Sequence, residues 1–250
     1  MKIPLYLWVY IVFVTVTVTS LMLFGINAAL LATDTPKSRR LALVARAALL
    51  FSTWAGLAMV LGWLGVFRAG LDRRFPAIVP GILIPLLVGL WVVFRQEGGR
   101  EILNAVPQRW LVGVQWYRGL GSMFLVLYGL NYLPGAFALP AGFGDVLVGF
   151  GALLVAATYE GSKGNRKWLV LAWNCFGIAD LLIAIGTGFL SAPGPLQRFS
   201  FDAPNILVGQ YPLVMIPLYA VPLSLLLHAC SIAKLTHSSS GPVKGQASYA

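Results

Sequence analysis

GLGSMFLVLYGLNYLPGAFALPAGFG, Gly119 to Gly144, carries no charged side chain across 26 residues, and the residue that follows it is Asp145. A second apolar stretch, Val146 to Tyr159, comes next. A carboxylate between two such stretches lies at or inside the edge of a lipid bilayer. Ionisable groups are expensive there and mark functional sites by default. The Gly and Pro residues before it read as a break in the helix, with a new helix starting near Ala141. A helix start offers free N–H groups beside the carboxylate.

Working outward, the same apolar character covers nearly the whole chain. Of 250 residues, 58% are hydrophobic and 10% charged, against about 25% charged in a soluble domain. Such a chain cannot cover its surface in water. A crossing helix needs about 20 mainly apolar residues, and the sequence supplies seven: about 5–32, 41–67, 76–94, 110–133, 141–159, 168–190 and 210–235. The expected fold is all-α, a polytopic transmembrane bundle of seven helices. The bundle occupies residues 1–235, followed by a disordered tail over 236–250. The first apolar run is too long for a cleavable signal and reads as a retained span.

Lys and Arg in the connections set the orientation. One side holds Lys37, Arg39, Arg40, Arg95, Arg100, Arg109, Lys163, Arg166, Lys167, Lys234 and Lys244, eleven in all. The other holds five: Lys2, Arg68, Arg73, Arg74 and Arg198. The bias puts the N-terminus outside and the C-terminus inside. A net charge of +10 spread in short clusters between apolar runs suits anionic headgroups of a bilayer. It forms no basic face for nucleic acid. The placement expected is the plasma membrane, a bacterial inner membrane, crossed several times. Cys230 and His228 stand two apart, on different helix faces, so neither a metal site nor a cofactor is expected.

Depth along each helix, at about 1.5 Å per residue, selects the residues that could meet. Gln115, Arg118, Asp145, Asn174, Asp180 and His228 are the strongly polar residues well inside the spans, and they are the candidate ligand or proton pathway. Asp145 and Asp180 bracket the short connection 160–167 at nearly equal depth, so their carboxylates can face each other. Arg118 is expected to reach Asp180 and to lie too deep for a direct pair with Asp145. On the sixth span Trp173, Gly177 and Asp180 share a face and Asn174 points elsewhere. Gly149, Ala152 and Ala156 line up with Asp145, small enough for another helix to approach. Pro212, Pro217 and Pro222 in the last span each remove a helix hydrogen bond and free a carbonyl.

Two resemblances accompany these residues. Gly142-Phe-Gly-Asp145 reads as Gly-x-Gly-Asp, which resembles the motif of intramembrane aspartyl proteases of the presenilin and prepilin-peptidase type. The resemblance implies that Asp145 is one of two catalytic aspartates acting on a shared water, with Asp180 as its partner. The family order places the partner upstream, where Asp72 is the alternative considered. The Lys that follows the prepilin motif and the Pro-Ala-Leu motif are both absent. More broadly, Gln115-Trp-Tyr-Arg118, the run from Leu133 to Asp145, and Asn174 with Asp180 look like a group of uncharacterised multispanning bacterial membrane proteins. That likeness implies architecture and no activity.

The function expected is binding or transport of a small solute, or of protons, at an intramembrane polar site formed by Arg118, Asp145 and Asp180. The alternatives are a structural or accessory subunit without chemistry, and the aspartyl protease. Enzymatic activity is the lesser expectation.

Overall fold

The structure is a computed structural model that describes residues 4–70, 76–160 and 166–237. Asp72, Arg73, Arg74, Lys163 and the tail from residue 238 onward, all used above, lie outside the described residues. Among the described residues every regular element is helical. Helices α1 (Leu5–Leu31), α2 (Lys37–Trp63), α3 (Ile78–Arg95), α7 (Gly135–Glu160) and α8 (Lys167–Ser191) are each long and apolar enough to cross a membrane, as is Ile216–Thr236. Among the described residues that makes six such helices, one fewer than the sequence reading gave.

The difference lies at 110–133. This stretch is helical but broken into α5 (Gln108–Gly113), a 3-10 helix (Val114–Ser122) and α6 (Met123–Gly129). It runs antiparallel to α7 along that helix's length. Gly113 meets Ala156, Gly119 meets Gly149, Gly121 meets Asp145, Leu125 meets Gly142 and Tyr128 meets Gly135. Phe124 and Phe137 close the far end edge-to-face, ring centroids 5.2 Å apart. A Cβ on Gly149 would drive into the Gly119 backbone, so the small-residue face expected on α7 is what admits the 3-10 segment.

Local sequence accounts for the breaks. Asn131 takes a positive φ of 59° and Tyr132 N–H donates to Leu127 O at 2.8 Å, which ends α6 with a left-handed cap. Gly65, at φ 72°, ends α2 in the same way, with Val66 N–H on Leu61 O. Val106 is extended ahead of Pro107, as a residue before proline prefers. That corner separates α5 from α4 (Glu97–Ala105), a short helix the sequence reading missed. Lys234 Nζ holds the C-terminal end of α4 by donating to Leu103 O and Asn104 O, both at 2.8 Å.

The expected helix start at 141 is corrected. α7 begins at Gly135, just after Pro134, and runs through Pro140, so Asp145 sits about three turns in with no free N–H groups beside it. The irregular backbone lies in two other places. One is the 3-10 segment. The other is a π-helical turn at Ile216–Ala220 that leads into α9 (Val221–His237). Pro222 cannot donate to Leu218 O, and the Trp54 indole donates there instead at 2.8 Å. The carbonyl freed by this proline therefore goes to α2 rather than to a ligand.

The remaining surface is apolar. α2 and α3 bury few residues, and Leu49, Leu57, Trp63, Ile84, Leu87 and Trp91 are exposed large hydrophobic side chains. In water these would be a liability; against lipid tails they are ordinary. The polar residues of the chain's centre collect on the other side, between the 3-10 segment, α7, α8 and α9.

Candidate functional site

Arg118 projects from the 3-10 segment into the bundle with 2% of its side chain exposed. Its Nε donates to Asp145 Oδ1 at 2.8 Å, and its Nη2 lies 2.8 Å from the same oxygen. Nη2 also donates to Asp180 Oδ2 in a short contact. Nη1 donates to the Gly177 carbonyl at 3.1 Å and faces His228 Nε2 at 3.4 Å. Every nitrogen of the guanidinium fork is thus committed to an acceptor from α7, α8 or α9.

The expectation that Arg118 would miss Asp145 is overturned: it pairs with both aspartates. The depth estimate assumed an α-helix from 110 to 133. A 3-10 helix rises about 2.0 Å per residue rather than about 1.5 Å, which lifts Arg118 toward the carboxylates. Meanwhile α7 starts six residues earlier than expected and continues without interruption, so Asp145 lies within the bundle.

Asn174 also departs from expectation. It is fully buried on the same face of α8 as Gly177 and Asp180, and its Oδ1 is 2.9 Å from His228 Nδ1. An amide oxygen only accepts, so Nδ1 carries the hydrogen and Nε2 is left as the acceptor facing Arg118. His228 is therefore held as the neutral imidazole. Gln115 Nε2 stands 3.3 Å from the same Nδ1, a packing contact rather than a hydrogen bond because both nitrogens carry hydrogen. All six candidate residues come together in one cluster inside the bundle.

The network extends to residues the sequence reading did not select. Asn174 Nδ2 donates to Ser231 Oγ at 2.8 Å, and Gln108 Nε2 donates to the same hydroxyl at 2.7 Å. Tyr117 and Ser224 share a hydroxyl contact at 2.7 Å. Ser224, His228 and Ser231 follow one another at helical spacing along α9, a pattern legible in the sequence. Gln108 carries no such signal, because it stands at the edge of its span.

Glycines make room for the charges. A Cβ at Gly144 would collide with the Asp180 carboxylate, one at Gly121 with Asp145, and one at Gly177 with the His228 ring. A Cβ at Gly142 would fall 2.6 Å from Leu125 Cγ. The Gly-x-Gly-Asp letters thus have a packing cause on this chain. Arg118 Nη2 also stands between the two carboxylates, where the resemblance would require a shared catalytic water.

A cavity of about 180 Å³ opens onto this cluster. Asp145, with 17% of its side chain exposed, and Arg118 line it alongside residues of α1, α8 and the 192–209 connection. Its wall is largely apolar. Asn205 lies in the same wall, 2% exposed, and its Oδ1 has no hydrogen-bond partner among the described residues.

These features define the class: an all-helical, multi-pass membrane protein with an Arg/Asp polar site buried in its bundle. The chain belongs to the family described as Domain of unknown function (DUF8737), whose model matches residues 74–236. All six candidate residues fall in the matched region, while α1, which supplies cavity residues Tyr10, Ile11 and Val14, falls before it. Comparison with curated proteins and with solved structures gives no match.

Proposed function

We propose that this protein binds and carries a small solute across the membrane, with a proton on the Arg118–Asp145–Asp180 cluster as the coupled species. One observation carries the reading. The cluster holds two carboxylates against one guanidinium, its histidine is neutral, and it forms the polar end of a mostly apolar cavity. With both aspartates ionised the site has one negative charge in excess. An uncompensated buried charge costs several kcal/mol, of the order of 3–5 when a partner is missing. A proton removes that cost, and so does a cationic guest. Asp145 is the member that meets the cavity, so it is where the exchange takes place.

The reading includes seven crossings. Residues 108–129 run beside α7 for its length, and their combined α and 3-10 rise is about 37 Å, enough for a hydrocarbon core of about 30 Å. A crossing that is partly 3-10 and faces a cavity is tolerated because its polar groups are buried in protein. With the Lys and Arg bias, the cavity then faces the outside. Anionic headgroups would hold the basic connections.

A structural role is the second reading, favoured by the way Arg118 ties three helices to the 3-10 segment. Infrared difference spectra of the protein in lipid, recorded across neutral pH, separate the two. The proposal expects a protonated-carboxyl C=O band in the wild type that both Asp145→Asn and Asp180→Asn remove, since either variant leaves one carboxylate for one guanidinium. No such band in the wild type would leave the structural reading standing. Asp145→Asn adds a stability criterion: unchanged or raised thermal stability fits relief of excess charge, whereas a loss of about 3 kcal/mol or more fits a structural ion pair.

A further inference from the structure

Resting on the solute-binding reading, we propose that the cavity is a site for a hydrophobic organic cation: an ammonium group on an apolar body. Among the described residues at the cavity floor, the polar functions left for a guest are acceptors. Arg118 has no nitrogen to spare, because its fork is committed to Asp145, Asp180, Gly177 and His228. An anionic guest would therefore find no donor at the floor. Tyr10 already donates to Leu120 O at 2.5 Å, and Tyr117 is engaged with Ser224. Both contacts from Arg118 to Asp145 fall on Oδ1, so Oδ2 stands outside the fork.

The wall supplies the second half of the recognition. Tyr10, Phe67, Tyr117, Phe124, Phe137 and Phe189 all line the cavity. Aromatic faces attract ammonium groups, and sites that bind quaternary ammonium ions are built from such rings. A neutral apolar solute would use the rings but leave the excess charge at the floor uncompensated. An organic cation satisfies both. Arg68 also lines the cavity, but it is an exposed residue whose charge is screened by water and salt.

The same arithmetic makes the proton and the cation competitors. The groups that face Asp145 are Arg118 from the 3-10 segment, Tyr117 beside it, Tyr10 from α1 and Asp180 from α8, with His228 of α9 behind the guanidinium. The charge exchanged belongs to the carboxylate pair. Affinity for a fixed cation should accordingly rise as pH rises.

The test uses two probes of one shape: phenethyltrimethylammonium and its uncharged isostere, in which tert-butyl replaces trimethylammonium. Binding to the full chain in lipid nanodiscs is followed by tryptophan fluorescence, with empty nanodiscs subtracted for partitioning. The wild type should bind the cation about tenfold or more tightly than the isostere, a difference of about 1.4 kcal/mol. Asp145→Asn should lose that preference while still binding the isostere, which also shows that the variant is folded. Equal binding of both probes to the wild type would overturn the cation assignment and leave the solute-binding reading intact. A preference that persists in Asp145→Asn would also overturn it, because the charge would then be read elsewhere. If neither probe binds the wild type, the solute-binding reading fails with it.

Discussion

Replacing Arg118 by methionine tests the architecture of the site at its centre. The change keeps the length of the aliphatic stem and removes the fork. Two buried carboxylates, the Gly177 carbonyl and His228 Nε2 all lose their donor at once. Removing one partner of a buried ion pair typically costs about 3–5 kcal/mol, because the remaining charge is stranded. On the scale of folded domains of 150–250 residues, where 1 kcal/mol moves Tm by about 2–4 °C, the expected loss is about 6–20 °C. The assay is thermal unfolding in detergent, followed by tryptophan fluorescence. Adding Asp145→Asn and Asp180→Asn to Arg118→Met should recover most of the loss, since the stranded charges go with them. A loss below about 1 kcal/mol would place Arg118 among weak surface-type pairs and refute the reasoning. So would a triple variant no more stable than the single one.

Further outcomes follow from the packing. Gly144→Ala should cost about 1–3 kcal/mol, because its Cβ must push aside the Asp180 carboxylate. Gly56→Ala, in α2 with open space around it, should instead gain about 0.4–1 kcal/mol; the pair can be read in one set of unfolding curves. Trp54→Phe should lose about 1–3 kcal/mol, because the Leu218 carbonyl that Pro222 leaves unpaired also loses the indole donor. In a background lacking Cys175 and Cys230, Ser200→Cys should react with a membrane-impermeant thiol reagent added outside intact cells, and Glu97→Cys only after the cells are opened. The reverse pattern would invert the orientation.

Much of the fold was legible because apolar length is a strong signal in a membrane chain. The ends of α1, α3 and α8 and the C-terminal end of the last helix fall within a few residues of their expected places, with Pro4 marking the start of α1, whereas the last helix starts at Ile216, six residues later than expected. What composition does not encode is the difference between α and 3-10 winding. Gln115 to Ser122 reads as ordinary helix, and only its packing against Gly149 and Asp145 shows otherwise. The glycines before Asp145 were misread as a break. Gly and Pro are helix breakers in water, but in a bundle Gly142 and Gly144 remain helical and serve to admit Leu125 and Asp180.

The site followed the same pattern. Six polar residues in apolar spans were easy to pick out, since each is costly alone. Their pairing was harder, because rise per residue and the reach of Arg118 decide which carboxylate is met. The depth estimate placed Asp180 correctly beside Arg118 and wrongly excluded Asp145. Gln108 and the Asn205 Oδ1 stand near span ends, where polar residues are unremarkable by sequence; burial alone gives them meaning.

The exchange of charge at Asp145 can be measured directly as proton release. Phenethyltrimethylammonium is added to the purified protein in a weakly buffered solution near neutral pH that contains a pH-sensitive dye. A proton should leave for each cation bound in the wild type, and none in Asp145→Asn. Cation binding without acidification would contradict the claim that an excess negative charge at Asp145 holds either a proton or a cation.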